Sequence, residues 1–389
     1  MSISLKGSAD PVEVSKLLGE LVSIESINLD YKGSKQGEVN ISEYVYNYLK
    51  NLGVKCKKEE VLPNRNNIIC HIEGKDRRGI CFEAHMDTVS VDNMTIEPFI
   101  PNIIDGKMYG RGSADCKSSL AAMMYAIKIL VENKLKPSTD LYFVAVVDEE
   151  YNHRGVDHFL RKGLNLQGAV IGEPTKLEVI TACKGVVRWK ITSTGKAGHS
   201  SRPDKGHNAI YDMVDLISVL KTDLIPSYKN KKHQLLGSAS LSVGCINGGT
   251  AVNIIPDQCF IEVDRRLLPG ETNDAAKKEI VDLIHLLQKN NPDLNIAISD
   301  PTTYTIPMDT DSNQNIVKIA ISSSEKIIGN SKTGGVDFGC DASSFTGKGI
   351  PSIVLGPGNI LQAHSEIEFV NLKEVNQCAE IYSQISIDF

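Results

Sequence analysis

Several features that would assign this chain to a class at once are missing from it. No segment is apolar for long enough to span a bilayer, and Met1-Ser2-Ile3-Ser4-Leu5-Lys6-Gly7 lacks the apolar core of a signal peptide. A membrane partner is therefore not expected, and a cytoplasmic location is. There is no basic block: the formal net charge is -6, spread along the chain, which removes the electrostatic footprint of nucleic-acid binding. There is no internal repeat and no low-complexity tract. The nine cysteines are odd in number, scattered and free of any C-x-x-C pair, so they read as reduced thiols.

What remains is an ordinary globular composition, 41% hydrophobic and 23% charged, on a chain of 389 residues. That length exceeds what one hydrophobic core usually supports, so two domains are expected. Asp10-Pro11-Val12-Glu13 announces a first helix, with Asp10 as cap, Pro11 in the first turn and Glu13 placed to complete a capping box; Val14, Leu17, Leu18 and Leu21 form its apolar face. Short β-rich runs follow at 67–72, 79–84 and 141–147, with an amphipathic helix at 118–131 between the last two. Strands alternating with helices argue for an α/β layer.

From Lys184 the rhythm becomes strand, helix, strand, strand, helix, strand (186–192, 208–220, 239–245, 258–265, 274–287 and 294–299), the split β-α-β of a ferredoxin-like unit. A last α/β stretch holds the apolar run 352–355. The expected division is a catalytic domain in two parts, 1–183 and 300–389, interrupted by an inserted α+β domain, 184–299.

Acids and histidines recur just past strand ends or in Gly-rich loops, where open α/β sheets bind ligands. The segments are Glu83-Ala84-His85-Met86-Asp87, Gly110-Arg111-Gly112-Ser113-Ala114-Asp115, Asp148-Glu149-Glu150, Gly172-Glu173-Pro174-Thr175 and Ala363-His364-Ser365. Each has a bland explanation. His85 and His364 read equally as surface histidines, Asp115 as a helix cap and Glu173 as a turn acid. Asp87, two residues after His85, can reach the far ring nitrogen of an imidazole whose other nitrogen binds a metal. Asp148-Glu149-Glu150 is harder to dismiss, because three adjacent carboxylates repel unless a cation or solvent intervenes.

Together with Gly195-Lys196-Ala197-Gly198-His199-Ser200-Ser201-Arg202-Pro203 and Asn247-Gly248-Gly249-Thr250-Ala251-Val252-Asn253-Ile254-Ile255-Pro256, these segments resemble, along nearly the whole chain, the zinc peptidases and deacylases that include acetylornithine deacetylase, succinyl-diaminopimelate desuccinylase, aminoacylase and glutamate carboxypeptidase. The resemblance implies a catalytic domain whose mixed sheet is sandwiched by helices, and an inserted ferredoxin-like lid that also dimerises. It implies two Zn²⁺ per subunit, with Co²⁺ or Mn²⁺ able to substitute. His85 and Glu173 would bind one ion, Glu150 and His364 the other, and Asp115, followed by a cis peptide to Cys116, would bridge them.

By the same resemblance, Glu149 is the general base, Asp87 supports His85, and His199 reaches a partner subunit's site to stabilise the oxyanion. Arg266 would hold a substrate carboxylate, with Asn253 and Lys184 as helpers; Arg265, one step along the strand, is the competing choice. The partners so implied are a small molecule with a free carboxylate and a second copy of the chain. Ser118 and Tyr151 stand where the family usually has Gly, and Cys340 where relatives commonly carry Thr. His153 either lines the pocket or faces solvent. Glu173 in place of Asp points to an N-acyl amino acid substrate, with a carboxypeptidase or dipeptidase as the alternative. A silent binding protein on the same fold is a third reading. Against it, a binder has no need of Glu149.

Overall fold

The computed structural model describes residues 4–389, so the first three residues of the segment inspected for a leader lie outside the described residues. The chain divides into two units: residues 1–181, 310–334 and 340–389 form the first, and residues 182–309 with 335–339 the second. The second unit runs past the boundary expected at 299, because Thr303–Thr305 adds to the strand Gly185–Thr194.

The first unit is built on a mixed sheet. Its order runs Lys55–Leu62, Arg65–Ile72, Thr139–Val146, Asp76–His85, Leu166–Ile171, Ser352–Val354. The hairpin side is antiparallel, whereas Thr139–Val146, Asp76–His85, Leu166–Ile171 and Ser352–Val354 run parallel. Strands of this kind are buried on both faces, which explains their unbroken apolar runs. Helix Lys117–Glu132 is buried along most of its length beneath Pro11–Val22 and Leu372–Asp388, and Arg154–Leu160 meets Ala342–Gly347 in a separate helical group.

At the first helix, Asp10 caps as expected, accepting from Val12 N (2.8 Å) and Glu13 N (3.4 Å). The capping box does not form. Glu13 turns away to accept from Tyr125 (2.7 Å) and Lys128 (2.5 Å), and Tyr125 Oη takes over the Asp10 N–H. The cysteine reading also needs correction. Register sets Cys56 directly opposite Cys70 in the hairpin, and the two form a disulfide. Cross-strand register is not written in linear spacing.

The second unit is ferredoxin-like. Its antiparallel sheet runs Ser240–Gly248, Gln258–Leu267, Gly185–Thr194, Ile296–Ile298, so that the first and third strands are neighbours at the centre. Helices Ala209–Val219 and Asn273–Asn290 bury Met213, Leu216, Ile280 and Ile284 with Trp189, Ile261 and Val263 in a core of its own. Among the described residues no helix is long and apolar enough to cross a membrane.

Candidate metal centre

His85 is the last residue of Asp76–His85, and its neighbours on the sheet deliver the rest of a carboxylate and imidazole cluster within the first unit. Thr139–Val146 leads to Asp148-Glu149-Glu150, Leu166–Ile171 leads to Glu173, and Ser352–Val354 leads through a loop to His364. Asp115 precedes the buried helix Lys117–Glu132 and is joined to Cys116 by a cis peptide. It is not that helix's cap, a position held by Cys116 without a side-chain hydrogen bond.

Asp115 spans the cluster. Its Oδ1 is 3.0 Å from His85 Nε2 and its Oδ2 is 3.4 Å from His364 Nε2. On one side Glu173 Oε1 lies 3.7 Å from His85 Nε2; on the other, Glu150 Oε2 lies 3.1 Å from His364 Nε2. The donor atoms of His85, Asp115 and Glu150 lie within 4.8 Å of one another.

The electrostatics call for cations. Burial pushes the Glu150 and Glu173 carboxyls up, with the Asp115 charge adding to both. Burial works on Asp115 in the same sense, but hydrogen bonds to His364 and His85 outweigh it and hold this carboxyl below the usual range. Three buried carboxylates converging on two imidazoles form a donor set of nitrogen and oxygen that suits borderline divalent ions and is costly without them. The residues present therefore fit a pair of metal ions.

Asp87 serves both His85 and the turn that follows the neighbouring strand. The nearest acceptor to His85 Nδ1 is the Asp87 carbonyl at 2.9 Å, while its carboxylate is 3.6 Å away. That carboxylate also receives the backbone N–H groups of Glu149 and Glu150, both at 3.1 Å, and Asn28 Nδ2 at 2.7 Å. It fixes the turn that carries the two glutamates. Asp148 and His153, both with left-handed φ (70° and 56°), bracket this turn, a geometry costing roughly 1–2 kcal/mol per residue. Gly155 follows because a Cβ there would lie 2.3 Å from the Val147 carbonyl.

Glu149 stands beside the cluster, not in it. Its nearest charged partner is His153, whose Nδ1 lies 3.7 Å from Glu149 Oε1 and 2.7 Å from Asp341 Oδ1. Burial raises the Glu149 carboxyl to about 8 against the opposing pull of His153 and His85. Burial also disfavours a charged His153, but Asp341 and Glu149 outweigh it and push the imidazole up to about 9.

Supporting groups escaped the sequence reading. Glu368, fully buried, accepts from Arg111 Nη1 (2.8 Å) and from the N–H groups of Ala114 (2.9 Å) and Asp115 (3.1 Å). Glu83 is buried with neither carboxyl oxygen partnered, and burial, together with the facing Asp341 charge, pushes its pKa well up. Its signal was legible: an acid inside a run destined for a doubly covered strand.

The remaining expected residues, His199, Asn253, Arg266 and Lys184, belong to the second unit. His199 is exposed, and its Nδ1 meets Ser201 Oγ (2.8 Å) and Ser201 N (3.2 Å). Asn253 is exposed and its carbonyl accepts from Ser200 N (3.0 Å). Strand alternation separates the two arginines. Arg265 is buried, bonded to Glu271 at 2.7 Å and laid over the Tyr228 ring, whereas Arg266 is partly exposed and pairs with Asp264. The Lys184 ammonium is held by Ser238 O (2.8 Å) and Asp337 (2.7 Å).

Comparison with known proteins adds three findings. The pattern of a family described as Peptidase family M20/M25/M40 matches residues 81–388. The chain is 30% identical to an acetylornithine deacetylase of Proteus mirabilis over 384 residues, 96% of each protein. Its fold resembles that of a tripeptidase from Staphylococcus aureus (TM-score 0.82, 22% identity, 98% of each chain) and of a dinuclear metal binding peptidase from Bacillus subtilis (TM-score 0.73, 15% identity, 97% of each chain).

Proposed function

Because this chain belongs to peptidase family M20/M25/M40, and is thus a metal-dependent hydrolase, we propose that it removes the acyl group from an N-acyl amino acid bearing a free α-carboxylate. The observation that carries this reading is the division of labour within one helical turn: Glu150 bonds His364 inside the donor cluster, while Glu149 remains outside it, facing His153. A protein that only binds needs the donors. Hydrolysis needs the free carboxylate as well. Identity with a deacetylase along the whole chain supports deacylation over peptide cleavage, as does Glu173 in its Gly-Glu-Pro-Thr turn.

His85 and Glu173 would hold one ion, Glu150 and His364 the other, with Asp115 shared between them. Zinc is the proposed ion, with cobalt or manganese able to replace it. Bound there, such ions polarise the amide carbonyl and acidify water. Glu149 takes the proton from the attacking water and passes it to the leaving amine, a two-way task suited to a carboxyl raised towards neutrality. The exposed imidazole of His199 is the proposed donor to the oxyanion. Arg266, the accessible member of the arginine pair, would receive the α-carboxylate, aided by Asn253.

We place His199 in the partner's reaction, as part of a homodimer. Tyr211, Val252 and Ile254 are exposed and line one concavity of the second unit, and a second copy is the proposed cover. Light scattering should give twice the subunit mass. The substrate proposal is tested by assaying N-acetyl, N-succinyl and N-formyl amino acids, N-acetylornithine included, beside dipeptides, with added Zn²⁺ or Co²⁺. An N-acyl amino acid should give the highest kcat/KM. Preferential dipeptide turnover, or no amide cleavage at all, defeats the proposal.

A further inference from the structure

Glu149 has a neighbourhood of its own, made of residues outside the donor cluster. His153 Nδ1 lies between two carboxylates, hydrogen-bonded to Asp341 Oδ1 at 2.7 Å and 3.7 Å from Glu149 Oε1. Asp341 is buried immediately before helix Ala342–Gly347, so the acceptor that orients the ring is fixed. The backbone is equally specific: His153 sits at φ 56°, closing the turn with its N–H on the Asp148 carbonyl at 2.8 Å. A left-handed position is the natural place for glycine. A histidine kept there points to work done by its side chain.

The turn sets Glu149 and Glu150 side by side, next to a cluster that attracts cations. A carboxylate with freedom to swing would become one more ligand, and a ligand cannot serve as base. Resting on the hydrolase reading above, we propose that His153, oriented by Asp341, is a positioning residue that restrains the Glu149 carboxylate outside the metal cluster and thereby keeps it available for proton transfer. His153 does not touch the reacting atoms. It decides which of two adjacent glutamates is free.

The test is His153→Gly, compared with wild type and with Asp341→Asn. Glycine meets the backbone requirement but leaves buried Asp341 without its partner, so the thermal midpoint of His153→Gly should fall while unfolding stays cooperative. Metal content should stay at the wild-type level, and chelator competition should show affinity equal or tighter, since a released Glu149 gains access to the ions. The kcat on the best substrate should fall about 10–100-fold with KM little changed, as expected for a misplaced catalytic group. The side chain is 18% exposed, so added imidazole can enter the gap and should restore part of the rate in His153→Gly but none in Asp341→Asn. Wild-type kcat in His153→Gly overturns the inference, as does a rate loss that tracks metal loss or that added imidazole leaves wholly unrestored. If wild-type protein itself cleaves no amide, the hydrolase reading fails instead, and the two failures are told apart.

Discussion

Replacing Glu368 with alanine isolates a support of the centre that touches no substrate. Its carboxylate takes three donors: the Arg111 guanidinium at 2.8 Å and the Ala114 and Asp115 N–H groups at 2.9 and 3.1 Å. Arg111 keeps Ser90 O and Asn93 Oδ1 when Glu368 is removed, which puts the broken buried pair at the low end of its usual cost, about 3 kcal/mol. Two orphaned backbone N–H groups add about 1 kcal/mol each, for a total of roughly 5 kcal/mol. Glu368→Gln separates the parts. It keeps an acceptor for the two N–H groups and loses the charge, so a smaller penalty of about 2–3 kcal/mol is expected. Because one of those N–H groups belongs to Asp115, metal affinity should weaken about 10–100-fold in the alanine variant. Urea unfolding of the metal-free proteins gives the stability terms, and chelator competition gives the affinities. A wild-type urea midpoint for Glu368→Ala would refute the reasoning, because no buried carboxylate with these three donors can be lost without cost.

Glu149→Gln should lower kcat by about 10²–10⁴ while metal content stays at the wild-type level; loss of both metals would move Glu149 from base to ligand. Treatment with a strong chelator should abolish activity and Zn²⁺ or Co²⁺ should restore it, and full activity in demetallated protein, checked by elemental analysis, contradicts the donor assignment. Mixing His199→Ala with Glu149→Ala subunits should recover part of the lost rate if His199 serves the partner's site. No recovery, with subunit exchange shown by mass spectrometry, places His199 elsewhere.

Local sequence marked where each member of the donor cluster stands, at the end of a strand or beside a glycine-rich turn, while the family resemblance supplied the roles. The arginine pair was legible for a related reason: strand alternation forces Arg265 and Arg266 to opposite faces, and only one is accessible. What sequence could not show depends on who meets whom across long separations. Asp341 reaches His153 from 188 residues away, and Cys56 meets Cys70 through hairpin register. Asp87 was noticed as a partner for His85, yet its carboxylate serves backbone N–H groups 62 and 63 residues along. Those contacts are products of the folded sheet. Glu13 shows the same limit at short range, where a local capping box lost to Tyr125 and Lys128 of a packed neighbour.

The order in which the chain is made gives the centre a history. His85, Asp115, Glu150 and Glu173 all precede the second unit, whereas His364 follows it, and Glu368 comes 253 residues after the Asp115 N–H it holds. A ribosome that has just finished the second unit therefore carries an acidic half-centre with one of its two imidazoles and without the carboxylate that anchors Asp115. The donor set is complete only when the last part of the chain arrives and Ser352–Val354 takes its place beside Leu166–Ile171.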